Sequence, residues 1–161
     1  MSENVFLVPI EPENFDRTVR SPVDLTTYAD RPDAIADAEE ARLWAIGDDT
    51  GSGSTFEQME PDDLLLFYDD GEYVATGRVG QTFLDEDRWA SSTLWTAFPA
   101  TQVYTVASFT PITVSKRAVN RIFDYSPTYT PGLMRVADSR VTESLSTIET
   151  ALDAYSKRQE A

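Results

Sequence analysis

The sequence predicts an α+β fold, an open β-barrel of about five or six short strands with two or three flanking helices. Three observations lead there. The apolar run Leu64–Tyr68, the turn Asp69-Asp70-Gly71 and the return stretch Tyr73–Val79 spell a β-hairpin, with glycine supplying the positive φ. Residues 102 to 109 alternate as a half-buried strand does. Val141, Leu145, Ile148, Leu152 and Tyr155 recur at helical spacing and predict one amphipathic C-terminal helix. Mixed element order with short connections favours α+β over a doubly wound sheet. A chain of 161 residues buries roughly 70 % of its unfolded surface and needs no staples. We expect a single domain over residues 1–161, with 1–40 as an N-terminal extension packed on it.

In chain order, Phe6–Ile10 is an apolar stretch broken by Pro9, suited to an edge strand or an extended arm. Residues 30–40 are rich in alanine and acids and read as a short helix or a solvated linker. Arg42–Ile46 reads as a buried strand ending at Gly47, followed by a polar loop over 48–54. Thr55 and Gln58 have capping-box spacing and predict a single helical turn. Gly77, inside the return strand, suggests a bulge or a close approach. Residues 83–100 form a longer connection carrying Trp89, Trp95 and Phe98. Ser115 is placed to cap a short helix with Ala118, Val119, Ile122 and Phe123 on one face. Residues 125–132 are a loop, and Leu133–Val136 a short last strand.

Composition narrows the chemistry. With no histidine and no cysteine, nucleophilic triads and the usual zinc ligands are absent, and disulfides cannot form. We expect no metal site, no cofactor and no catalysis by this chain. No apolar run approaches a membrane span, and nothing resembles a signal peptide, so a soluble cytoplasmic protein is expected. The formal charge is −15, with 28 acidic against 13 basic residues, and Lys116 and Lys157 are the lysines. That composition matches proteins that work in concentrated salt. There the Debye length falls to about 3 Å, so distant carboxylates repel a polyanion little. The basic residues are also uneven: Lys116, Arg117, Arg121, Arg135 and Arg140 face only Asp124 and Asp138 between Pro111 and Val141.

Two constellations bear on function. Phe56, Trp89 and Trp95 lie on connections beside strands, where an aromatic ring can stack on a nucleobase. The acid pairs Asp48-Asp49, Asp62-Asp63, Asp69-Asp70 and the triplet Asp85-Glu86-Asp87 fit carboxylate hydrolysis or a small-ligand site in principle, but in a chain this acidic they read as solvated turns. Pro61-Asp62 invites comparison with restriction-type nuclease cores. Those need an acid two residues before a lysine, and Lys116 and Lys157 have Val114 and Tyr155 there.

The train RLWAIG, Phe56, MEPDDLLLFYDDGEYVATGRV, STLW, VYTV and GLMRV resembles the PUA-like superfamily, nearest its EVE and YTH-like branch, which includes target-recognition domains of modification-dependent, McrB-type restriction systems. The resemblance spans roughly residues 41–141. It implies a non-enzymatic nucleic-acid-binding module that flips a base, often a methylated one, into an aromatic cage. It would place Phe56 at the first cage wall, Trp89 or Trp95 at the second, and Asp48 and Asp49 in the polar loop facing the base edge. Arg117, Arg121, Arg135 and Arg140 would supply the rim that meets the nucleic-acid backbone. The implied partners are methylated DNA, or RNA in the alternative of a tRNA- or rRNA-binding PUA-like module, together with a nuclease or ATPase that would supply any catalysis.

Overall fold

The computed structural model describes residues 4–48, 53–130 and 132–160. Seven strands and five α-helices are present among them: β1 (Val5–Pro9), α1 (Pro12–Phe15), β2 (Val23–Asp24), β3 (Glu40–Gly47), α2 (Gly53–Gln58), β4 (Leu64–Asp69), β5 (Glu72–Leu84), α3 (Trp89–Thr93), β6 (Ala100–Ser115), α4 (Lys116–Ile122), β7 (Met134–Arg135) and α5 (Leu145–Glu160). Helix α1 runs on into a wider π turn over Asp16–Arg20. The fold is α+β, as the hairpin, the alternating strand and the helical spacing predict. Hydrogen bonding links the strands in the order β2-β3-β6-β5-β4-β1-β7. That order has two ends, so the sheet does not close on itself.

The chain forms two compact units. The first comprises Met1–Ile10, Glu60–Arg78 and Ser108–Ala161, the second Glu11–Met59 and Val79–Ala107. Strands β5 and β6 each give one stretch to each unit. The N-terminal 40 residues therefore divide, with β1 in the first unit and α1, β2 and the turns up to residue 39 in the second.

In the first unit β1 runs parallel to β4 from Val5↔Leu64 to Pro9↔Tyr68. Both strands are continuous apolar runs with Val5–Val8 and Leu64–Phe67 buried, the pattern of strands covered on both faces. Pro9 suggests an edge strand, but β1 is internal. The proline is tolerated because β7 pairs only with Phe6 and Leu7 and stops short of it. The hairpin turns at Asp70 (φ 48°) and Gly71 (φ 87°), the double left-handed geometry of a two-residue hairpin loop. Gly77 sits in regular register opposite Leu65, and the irregularity falls at Phe67/Tyr68 instead. Ser115 accepts a bond from Ala118 N at 3.2 Å and caps α4. Leu145, Ile148 and Leu152 of α5 pack on the core of Leu64, Leu66 and Val114.

In the second unit β3 pairs antiparallel with β6, placing Trp44 opposite Tyr104. The close approach sits at Gly80 on β5. A Cβ there would meet Thr105 Oγ1 at 2.2 Å, the atom that accepts from Gln81 N at 2.9 Å.

Two buried phenols set an alkaline limit on stability. Tyr73 and Tyr104 are 0 % exposed, and among the described residues neither hydroxyl has a hydrogen-bond partner. Burial raises both pKa values well above the ordinary tyrosine value of about 10, and the nearby Tyr68, Tyr125 and Tyr129 add to the effect at Tyr73. Above about pH 10 the unfolded phenols lose protons that the folded ones keep, so stability falls as pH rises. Each phenol contributes up to about 1.4 kcal/mol per pH unit. Urea melts between pH 9 and 11.5 should show the doubly substituted Tyr73→Phe/Tyr104→Phe protein losing stability less steeply than the parent, with no loss at pH 7 because no hydrogen bond is broken. Identical slopes would contradict this assignment.

Candidate functional site

The aromatic residues singled out in the sequence all belong to the second unit, and the four arginines all belong to the first. Trp44 on β3 is 2 % exposed and sits among three rings. Phe15 meets it edge-on at 5.4 Å, Trp95 edge-on at 5.9 Å, and Phe98 at 4.9 Å with a 38° tilt. Trp95 and Phe98 also touch, at 5.1 Å. Trp95 is buried, whereas Phe98 is half-buried and forms the accessible edge of the cluster.

The loop that carries Trp95 and Phe98 is held from α1 and the π turn. Asn14, 2 % exposed, clasps Thr96 with two bonds of 2.9 Å, Nδ2 to the carbonyl and the amide back to Oδ1. Arg17 donates to Thr96 Oγ1 at 2.8 Å. The Trp95 indole N–H donates to Thr18 Oγ1 at 2.9 Å, and that hydroxyl donates to the Leu43 carbonyl at 2.6 Å. The loop passes through Ala97, held at φ 55°. A left-handed alanine costs about 1–2 kcal/mol and persists only where its surroundings over-determine it.

Asp48 directly follows β3. Its amide donates to the Pro99 carbonyl at 2.9 Å, next to Phe98, and its carboxylate pairs with Arg88 at 2.6 Å. Arg88 is also left-handed, at φ 56°. Asp49 lies outside the described residues. Phe56 is half-buried on α2.

Trp89 opens α3 and is 7 % exposed. Asp85, itself 3 % exposed, caps this helix with both oxygens, accepting from Trp89 N at 3.1 Å and Ala90 N at 2.8 Å. The Trp89 indole N–H donates to Asp30 at 3.2 Å and the ring meets Tyr28 edge-on at 5.5 Å. It forms one wall of a cavity of about 400 Å³ whose lining includes Asp33, Phe83, Leu84, Glu86 and Asp87.

Of the acids in the acidic runs, Asp63 and Asp85 are buried and serve the fold, whereas Asp62, Asp70, Glu86 and Asp87 are exposed. Asp63 is 0 % exposed and accepts from Asn4 Nδ2 at 3.1 Å and Glu60 N at 2.9 Å, locking the turn before β4. Among the described residues no group of three acidic side chains is placed to hold a metal ion.

The four arginines differ. Arg135 pairs with Asp138 at 2.7 Å. Arg140 donates to the carbonyls of Phe123 and Asp124 at 3.2 and 2.5 Å, and its guanidinium lies 4.4 Å from the Tyr125 ring centre. Arg117 and Arg121 are exposed on α4, and among the described residues neither has an ion-pair partner. No described helix is long and apolar enough to cross a membrane.

Sequence reasoning missed Phe98 as the accessible ring, and Asn14, Thr18 and Arg88 as the groups that hold the site. Only the position of Phe98, three residues after Trp95 and before a proline, hinted at it.

No protein-family model matches this chain. No curated protein matches it. Among solved structures it is similar to the N-terminal domain of Thermococcus gammatolerans McrB bound to m5C DNA, with a TM-score of 0.69 and 17 % identity over 93 % of this chain and 99 % of that one. The likeness is one of fold.

Proposed function

We propose that this chain is a non-catalytic module that binds nucleic acid by taking a modified base, foremost a methylated cytosine in DNA, out of the stack and against an aromatic wall. It would serve as the recognition part of an EVE- or YTH-like reader, beside a nuclease or ATPase partner. The single observation that carries this reading is the aromatic cluster of Trp44, Trp95 and Phe98. It sits in a chain whose fold is similar to a domain solved with m5C DNA.

In this reading Phe98 and Phe56 are the rings that meet the base, and Trp44 and Trp95 back Phe98 from the interior. Asp48, set by Arg88 and by the Pro99 carbonyl, offers an acceptor to the exocyclic amine of a cytosine. Trp89 belongs to a separate cavity and holds α3. Extruding a base costs a few kcal/mol. One stacked ring returns about 1–3 kcal/mol, and a buried methyl adds about 0.8 kcal/mol. In concentrated salt, where phosphate contacts weaken, these terms decide binding.

The test is a duplex with one m5C and 2-aminopurine as its neighbour. The emission of 2-aminopurine should rise severalfold as the protein binds and the m5C leaves the stack. Saturable binding with no rise in emission would rule out extrusion. Equal binding of RNA, whatever its methylation, would favour the tRNA- or rRNA-binding alternative.

A further inference from the structure

The first unit carries an aromatic platform that neither the hairpin nor the tryptophans foretell. Tyr125 and Tyr129 stack at 4.7 Å with a 29° tilt, and Arg140 lies over Tyr125 at 4.4 Å. Tyr129 is 37 % exposed, one of two large apolar side chains left open among the described residues. The loop beneath is held in place. Asn120, 0 % exposed, donates from Nδ2 to the carbonyls of Ser126, Pro127 and Tyr129 at 3.1, 3.3 and 2.9 Å. Lys116 Nζ donates to Thr130 Oγ1 at 2.8 Å, and Arg140 ties down the carbonyls of Phe123 and Asp124. Arg117 and Arg121, both exposed and without an ion-pair partner among the described residues, sit on the same short helix as Asn120.

We propose that Tyr129 is a second stacking site, which takes an unpaired nucleobase of a strand whose phosphates run past Arg117 and Arg121. The ring is held flat by a partner ring and a fixed loop, so little freedom is lost when a base lands on it. Exposed cations together with an exposed aromatic ring are the combination that single-stranded nucleic acid binds, and stacking tolerates any base. Carboxylates dominate the rest of the chain, whereas this stretch is locally positive, which selects a polyanion over a basic protein. The site rests on the nucleic-acid half of the reading above and is independent of methylation.

The experiment uses the full chain in molar KCl and two probes, a blunt duplex and the same duplex with a three-nucleotide single-stranded tail, each prepared with m5C and with plain cytosine at one position. The wild-type protein should bind the tailed probe more tightly. Tyr129→Ala and Tyr129→Leu should each weaken the tailed probe about tenfold, within the roughly 5- to 150-fold one stacked base is worth, and leave the blunt probe unchanged. Tyr129→Phe should behave as wild type. If wild type and all three variants bind tailed and blunt probes alike, the platform is wrong and the methylated-base reading stands. If the tail preference exists and depends on Tyr129 while m5C and C bind equally, the platform stands and that reading falls. Binding of neither probe overturns both.

Discussion

Replacing Trp95 with alanine is expected to lower stability by about 3–5 kcal/mol, the range for emptying a large aromatic site in a core. The indole is buried, touches Trp44 and Phe98, and donates its one N–H to Thr18 Oγ1. For a chain of this length each kcal/mol is worth about 2–4 °C, so the midpoint should drop by roughly 10 °C or more. Urea and thermal melts in molar KCl check it. Trp95→Phe should cost far less, because it keeps a ring under Phe98 and leaves Thr18 bonded to the Leu43 carbonyl. A loss below about 1 kcal/mol for the alanine variant would mean that the indole is not the interior support assigned to it here.

Phe98→Ala should do the opposite, with a modest effect on stability and a large one on binding. The ring is half-buried, so its removal strips a surface from the cluster without emptying it. Affinity for m5C DNA should fall by about 1–3 kcal/mol, or roughly 5- to 150-fold, if this ring stacks on the base. Phe98→Tyr keeps the π face and should retain most of the affinity. Melts of the same variants separate loss of fold from loss of contact.

Much of the fold was legible because it is written locally. The hairpin follows from Asp70-Gly71 and its flanking apolar runs, the α4 cap from Ser115, and α5 from its spacing. What stayed hidden depends on residues far apart in sequence. The position of β1 inside the sheet is set by β4, 59 residues away at the Asn4–Asp63 contact. Strands β5 and β6 run longer than their alternation suggests, and β6 passes Ser108 at φ 52° without ending. The tryptophans looked alike in sequence, yet Trp95 is turned inward by Thr18, 77 residues earlier, and by Asn14, which grips Thr96 from 82 residues away. No spacing rule encodes that pairing. The four arginines were equally undifferentiated. Only coordinates show that Arg135 and Arg140 are committed within the fold while Arg117 and Arg121 are open.

The most direct measurement is a set of equilibrium titrations in molar KCl, using wild type and Phe98→Ala against one duplex with and without the cytosine methyl. A base held against this cluster predicts that wild type prefers the methylated duplex by at least about fourfold, the worth of one buried methyl. It also predicts that the Phe98→Ala protein, still folded, binds both duplexes weakly and nearly alike. Equal affinity of wild type for the two duplexes, or an unchanged preference after Phe98 is removed, would contradict it.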